Sequence, residues 1–141
     1  MKESEYELSR ARKQRRRHNL LEIYMINRNR VHRRKQRVSA NIKGTDERPR
    51  ISVHRSNLYI YAQAIDDNAK KTLVSFSSLQ SRKKSNQKVK KTEEAMEVGK
   101  TLAQLLKEKK ITHVVFDRNR FAYNGRVKAV AEGLRAGGII V

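Results

Sequence analysis

Two short segments of this chain combine residue types that bind phosphate, ribose and unpaired bases. Arginine forks onto phosphate, serine and asparagine contact phosphate or ribose, and tyrosine stacks on a base. The first segment consists of Arg55, Ser56, Asn57, Tyr59, Tyr61 and Gln63. The same pattern is equally consistent with a turn at Ser56-Asn57 between two strands, whose tyrosines pack across the sheet.

The second segment joins a predicted buried strand to a predicted helix. The free N–H groups at a helix N-terminus and the helix dipole favour phosphate there, and four cations add to this attraction. We expect Asp117, the acid in this loop, to pair with Arg118 or Arg126, or to cap the turn, and not to contact RNA. An ordinary loop with a solvated basic rim remains the alternative. The polar members are Asp117, Arg118, Asn119, Arg120, Tyr123, Asn124, Gly125, Arg126 and Lys128.

Catalytic chemistry has little support in the sequence. Asp66, Asp67 and Asp117 lie at predicted strand ends, and carboxylates that converge in this way hold magnesium in two-metal nucleases. However, Asp66-Asp67-Asn68 has the composition of a hairpin turn, and no phosphate-binding loop or nucleophile motif is present. Cysteine is absent and the four histidines lie far apart. We therefore expect no metal, no cofactor, no small-molecule substrate and no enzymatic activity.

The elements that would position both segments can be read from the hydrophobic pattern. Alternating runs predict three strands, and spacings of three and four residues predict two helices, the first with Thr92 as its N-cap. The predicted strands are 50–56, 58–65, 72–76, 111–116 and 139–141, the helices are 92–109 and 125–136, and 78–91 is an exposed basic loop. The predicted fold is α/β, with a mixed sheet formed by an antiparallel three-strand meander and then helix, strand, helix and short strand. Two helices pack on this sheet, and a basic N-terminal arm precedes it.

The arm is predicted to comprise residues 1–43, and the folded domain residues 44–141. Residues 1–50 contain 16 basic and 6 acidic side chains and few candidates for a core. Two basic clusters, Arg10 to Arg17 and Arg28 to Arg37, flank the apolar residues Leu20 to Ile26. We expect the arm to be partly helical. Because its like charges repel one another, we expect it to become ordered only on binding RNA. A solvated, disordered tail is the alternative.

The net charge of +20 limits the classes of partner. So much uncompensated charge favours a polyanionic partner, either nucleic acid or an anionic membrane. No apolar run approaches the roughly 20 residues that span a bilayer, and the basic residues of the arm surround the helix instead of forming one face. Nucleic acid is therefore the predicted partner, and no membrane is expected. Because the N-terminus has no apolar signal core and contains acids that transit peptides lack, we also expect a cytoplasmic location.

Several motifs resemble the L18 family of bacterial large-subunit ribosomal proteins. The resemblance covers about residues 27–141 and is carried by Gly44 to Val53, Arg55 to Gln63, Glu94 to Lys100, Val115 to Arg118 and Tyr123 to Ala131. It implies binding to 5S rRNA in the central protuberance, with large-subunit rRNA and ribosomal protein L5 as neighbours. It also implies that RNA is contacted by the matching positions, which are Arg28, Arg30, Arg33, Arg34, Lys35, Arg37, Arg55, Ser56, Asn57, Tyr61, Gln63, Tyr123, Gly125, Arg126 and Lys128.

The chain departs from the family pattern at three places. Asn124 stands where the family usually has histidine, which puts a histidine-specific contact in doubt, and Asn119-Arg120 is bulkier and more basic than the usual loop. Residues 1–26 exceed the usual arm, and we expect this extension to reach additional rRNA or a neighbouring protein. A free-standing protein that compacts nucleic acid without specificity remains the alternative function, although compaction requires charge and not structured loops.

Overall fold

The computed structural model describes residues 2–84 and 89–141, with side chains for residues 12–16, 19–81 and 89–141. The chain forms two compact units, residues 1–37 and residues 38–141. In the first unit the chain is helical, and the helix α1 (Lys2–Ser39) ends two residues into the second unit. Because the segment lacks glycine and proline and is rich in arginine, lysine, leucine and glutamate, it favours a helix. The helix covers more of the arm than predicted.

The second unit contains the predicted mixed sheet. Its strand order is β3-β2-β1-β4. The strands β1 (Arg50–Arg55), β2 (Ile60–Asp66) and β3 (Lys71–Ser77) form an antiparallel meander, and β4 (Val115–Asp117) pairs with β1 in parallel. The described part of the unit also contains the helices α2 (Ser78–Lys84), α3 (Lys91–Glu108) and α4 (Gly125–Ala136). The predicted α/β fold is therefore confirmed.

One face of the sheet is covered and the other is open. The strand residues that alternate toward α3 and α4 are almost completely buried in a single core with the predicted inner stripes of both helices. This core includes Ile51, Val53, Ile60, Ala62, Ala64, Val98, Leu102, Leu106, Val127, Val130 and Leu134. Ser52, His54, Tyr61 and Gln63 alternate with these residues and therefore point to the opposite face.

Helices α3 and α4 approach each other closely because two glycines face each other. A Cβ atom on Gly99 would lie 2.3 Å from the carbonyl oxygen of Val130, and one on Gly133 would lie 2.3 Å from that of Met96. Any larger residue would push the two helices apart. The pair thus holds α4, whose first turn belongs to the second polar segment, at a fixed distance from α3.

The structure corrects two predicted elements between β3 and the body of α3. Helix α2 occupies the start of the predicted basic loop, because the side chain of Gln80 accepts a hydrogen bond from the N–H of Ser77 at 3.2 Å, as in a capping box. Residues 85–88 of that loop lie outside the described residues. Helix α3 begins at Lys91 with Lys90 as its N-cap, so Thr92 is already in the first turn.

The predicted strands 111–116 and 139–141 are also shorter than expected. Strand β4 has only three residues, and His113 forms an isolated parallel bridge with Ile140. The reason is that the N–H of Val114 donates to the carbonyl of Ile140 at 2.9 Å, whereas that of Val115 donates to Pro49 at 3.0 Å. The β-branched run is therefore divided between two partners.

Candidate nucleic-acid interface

The turn between β1 and β2 presents the first polar segment. The hydroxyl of Ser56 accepts a hydrogen bond from the N–H of Tyr59 at 2.9 Å and donates to its carbonyl at 3.2 Å. This turn explains why β2 begins at Ile60 and not at Leu58 as predicted. The ammonium of Lys91 donates to the carbonyl of Asn57 at 2.8 Å, which brings the start of α3 to the same turn. Lys91 was not among the predicted site residues.

The loop after β4 presents the first half of the second segment. It turns at Asn119, whose φ of 57° lies in the left-handed region that asparagine tolerates better than most residues. The side chain of Asn119 accepts from the N–H of Arg120 at 2.9 Å, and the guanidinium of Arg118 donates to the carbonyl of Phe121 at 2.7 Å. The loop is thus held by its own side chains.

Phe121 brings the two predicted segments together. The guanidinium carbons of Arg55 and Arg120 each lie 5.2 Å from the centroid of its ring, within cation–π distance. The ring of His54 meets Phe121 edge-on at 5.9 Å and lies 6.3 Å from that of Tyr61. We call these five residues the Phe121 cluster. It unites Arg55 and Tyr61 from the first polar segment with Arg120 from the second, and His54 joins them from the open face of the sheet.

His54 and Phe121 were missed by sequence reasoning. For His54 a signal existed, because it alternates outward along β1 and is in register with Tyr61. For Phe121 the only signal was an aromatic residue in a polar loop. Gln63 remains exposed on the same open face, in register with Ser52.

The start of α4 presents the remaining predicted residues. Gly125 has a φ of 50°, a conformation that disfavours other residues, and Asn124 precedes it in extended backbone. The hydroxyl of Tyr123 accepts from Arg135 at 3.1 Å, and its ring lies edge-on to Phe116 at 6.1 Å. Arg126 is half-buried, while Lys128 is exposed and pairs with Glu132 at 3.5 Å.

The basic residues predicted on the arm all lie on α1 and are exposed. They are Arg28, Arg30, Arg33, Arg34, Lys35 and Arg37. Their spacing distributes the guanidinium and ammonium groups around the helix instead of along one stripe. An exposed apolar patch from Leu20 to Ile26 precedes them, and the side chains between Arg12 and Arg16 are exposed as well. Arg10 and Arg17, which end the predicted first cluster, have side chains outside the described ones.

The acids that a nuclease would need have structural roles. The carboxylate of Asp66 accepts from the N–H groups of Asn68 and Ala69, as expected for a turn residue. Asp67 binds Arg50 through two hydrogen bonds of 2.6 and 2.8 Å and accepts from the N–H of Gly44 at 2.7 Å. Within residues 2–84 and 89–141, no three His, Asp or Glu side chains cluster as a metal site would require.

The ion pair of Asp117 differs from the expected one. Its carboxylate, with 1% of the side chain exposed, pairs with Arg50 at 3.1 Å and not with Arg118 or Arg126. The expected turn cap is confirmed, because Asp117 accepts from the N–H of Asn119 at 2.7 Å. It also accepts from the hydroxyl of Ser39, the end of α1, at 3.0 Å.

The same ionic centre shifts two pKa values. The hydrogen bonds from Arg50, aided by the N–H of Gly44, lower the pKa of Asp67 to about 2, against the opposing effect of burial. The hydrogen bond to Asp67 raises the pKa of Arg50 above its ordinary value, with a smaller contribution from Asp117. Arg50 is therefore committed to the fold and is not available to RNA.

A basic surface on the open side of an α/β domain is typical of a nucleic-acid-binding protein. No described helix is long and apolar enough to cross a membrane. The profile of the family described as ribosomal L18 of archaea, bacteria, mitochondria and chloroplast matches residues 25–141. This chain therefore belongs to the ribosomal L18 family of structural proteins of the large ribosomal subunit.

Bacterial relatives agree with this assignment. The chain is 52% identical to the large ribosomal subunit protein uL18 of Chloroherpeton thalassium over 105 residues, which cover 74% of this chain and 88% of the relative. The protein of the same name from Lactiplantibacillus plantarum is 51% identical over 107 residues, 76% of this chain and 88% of that protein. These relatives are proteins of the large ribosomal subunit, which confirms the prediction that this chain is a structural protein of the ribosome and not an enzyme.

Proposed function

We propose that this protein binds 5S rRNA and helps attach it to large-subunit rRNA in the central protuberance, next to ribosomal protein L5. Membership of the L18 family and the net charge of +20 support a role in ribosomal RNA binding. The observation that carries the proposal is the Phe121 cluster, in which Arg55 and Arg120 from two distant segments share one aromatic ring. A protein that only neutralised charge would have no need of this arrangement.

The Phe121 cluster holds the groups that would contact RNA in fixed positions before RNA binds. Two guanidinium groups held on one ring lose little side-chain freedom when they bind, so each phosphate contact costs less entropy than one made by a free arginine. The open face beside them offers Tyr61 and Gln63 to ribose or base, and the start of α4 offers Arg126 and Lys128 to the backbone. The arginines of α1 add contacts to RNA that depend on its charge and shape.

The proposal is tested by competition binding of refolded 5S rRNA against excess tRNA at about physiological salt. We expect binding to 5S rRNA to persist, and Arg55→Gln and Arg120→Gln each to weaken it about tenfold, because each removes a charge-assisted hydrogen bond. Arg48→Gln is the matched control, since Arg48 is exposed next to the opposite end of β1 and the change in charge is the same.

Two results would contradict the proposal: equal displacement of 5S rRNA by tRNA, and equal losses of affinity in all three variants. Either result would mean that net charge alone does the binding. The protein would then act as a nonspecific nucleic-acid-compacting protein.

A further inference from the structure

The loop that carries Arg120 and Phe121 starts from a buried carboxylate. Asp117 accepts hydrogen bonds from the N–H of Asn119, the hydroxyl of Ser39 and the guanidinium of Arg50. These donors come from the loop itself, from the end of α1 and from the start of β1. One side chain therefore connects the start of this loop to two segments that lie 67 and 78 residues earlier in the chain.

The loop is ordered by a short series of hydrogen bonds that begins at this carboxylate. The carboxylate of Asp117 accepts a hydrogen bond from the N–H of Asn119 at 2.7 Å, which holds Asn119 at its φ of 57°. The side chain of Asn119 then accepts from the N–H of Arg120 at 2.9 Å, and the guanidinium of Arg118 donates to the carbonyl of Phe121 at 2.7 Å. The direction of the Phe121 ring thus depends on a turn that Asp117 closes.

We propose that Asp117 is a positioning residue for RNA binding, which keeps the loop of residues 118–121 in its binding conformation before RNA arrives. This rests on the proposed function only for the identity of the RNA. Asp117 is nearly inaccessible, so it acts through Arg120 and Phe121 and touches no RNA itself. Preorganisation of this kind lowers the entropy that binding must overcome.

Asp67 allows a positioning role to be distinguished from a merely stabilising one. Both carboxylates pair with Arg50, but the contacts of Asp67 are with Arg50 and Gly44, at the other side of the guanidinium from the loop. A substitution at Asp67 therefore weakens the fold and leaves the loop of residues 118–121 in place. Replacing either aspartate with asparagine changes the charge of the protein by the same amount.

The experiment compares Asp117→Asn with Asp67→Asn in the full chain. We expect Asp117→Asn to weaken binding to 5S rRNA about tenfold and to shift the amide NMR signals of Asn119 to Phe121 in the free protein. We expect Asp67→Asn to lower the melting temperature, with an RNA affinity within twofold of wild type and unchanged signals from the loop.

A second variant covers the case in which Asp117→Asn does not fold. Asn119→Gly keeps the left-handed backbone but removes the acceptor for Arg120, and we expect it to bind 5S rRNA several-fold more weakly without loss of stability. The positioning role is overturned if the Phe121 amide signal of folded Asp117→Asn is unchanged, or if neither variant loses affinity relative to Asp67→Asn. Failure of wild-type protein to select 5S rRNA over tRNA would instead contradict the proposed function, and the amide signals would still decide the role of Asp117.

Discussion

Arg50 shows that part of the positive charge of this protein belongs to its fold. Its side chain is 18% exposed and is bound by two carboxylates, Asp67 and Asp117. A buried arginine without partners would cost several kcal/mol, and here the paired acids offset that cost. Gly44 belongs to the same centre, because a Cβ atom at this position would lie 2.3 Å from the backbone nitrogen of Arg50.

Stability should fall at acid pH because of Asp67. Its pKa in the folded protein, about 2, lies below the ordinary value of 3.8, so the carboxylate stabilises the fold above pH 4. The contribution is lost as the pH falls from about 4 toward 2 and amounts to about 2 kcal/mol. The free energy of unfolding, measured in urea at pH 6 and at about pH 2.5, should therefore fall less between these two pH values for Asp67→Asn than for wild type.

The control for this measurement is Asp46→Asn, which removes the same charge at an exposed position. It should keep the pH dependence of the wild-type protein. An identical pH dependence in Asp67→Asn and wild type would mean that Asp67 has no depressed pKa in solution.

Residue types alone were enough to predict arginines for the RNA-binding site but not to predict how these arginines are arranged. Arg55 and Arg120 could be selected because phosphate requires cations and both lie next to predicted turns. Their common contact with Phe121 could not be predicted, since it depends on the parallel pairing of β4 with β1, which places the two loops side by side. Lys91 gave no signal at all, because it is one of several lysines in a basic stretch.

At the scale of elements, hydrophobic periodicity was sufficient wherever one face is buried. The meander, α3 and α4 were predicted because their apolar residues recur at two or at three and four residues. Short elements defined by hydrogen bonds were not predicted in the same way. Helix α2 depends on the Ser77–Gln80 cap, and β4 is limited by the competing partner Ile140.

The N-terminal extension lies almost entirely outside the family match, which begins at residue 25. We expect deletion of residues 1–26 to change the affinity for isolated 5S rRNA less than threefold. In assembled large subunits the same deletion should remove protection of additional rRNA or of a neighbouring protein in a footprinting experiment. The reason is that Leu20 to Ile26 are exposed on α1 and the residues before them are basic.

A variant with glutamine at Arg12, Lys13, Arg15 and Arg16 serves as the control. It keeps the apolar residues and removes charge, so it separates the two contributions. An unchanged footprint and unchanged assembly after the deletion would show that the extension contacts nothing in the subunit.

For the whole molecule, the charge of +20 predicts a strong dependence of RNA binding on salt. If about eight phosphates are neutralised, the affinity for 5S rRNA should fall by three to five powers of ten between about 50 and 200 mM salt. Arg55→Gln should reduce the slope of log affinity against log salt by about one, and Arg48→Gln should leave it unchanged. If log affinity hardly changed with log salt concentration, contacts to the RNA phosphates would be excluded as the main source of affinity.

The parallel pairing of β4 with β1 also imposes an order on the biogenesis of the protein. Translation releases α1 first and then the meander, whereas β4 and its neighbour Ile140 follow much later in the chain. The loop with Arg120 and Phe121 follows β4 and therefore emerges after both α1 and the meander. A nascent chain can offer its basic helix to RNA well before it can offer the Phe121 cluster, so charge-driven capture is available before positional recognition.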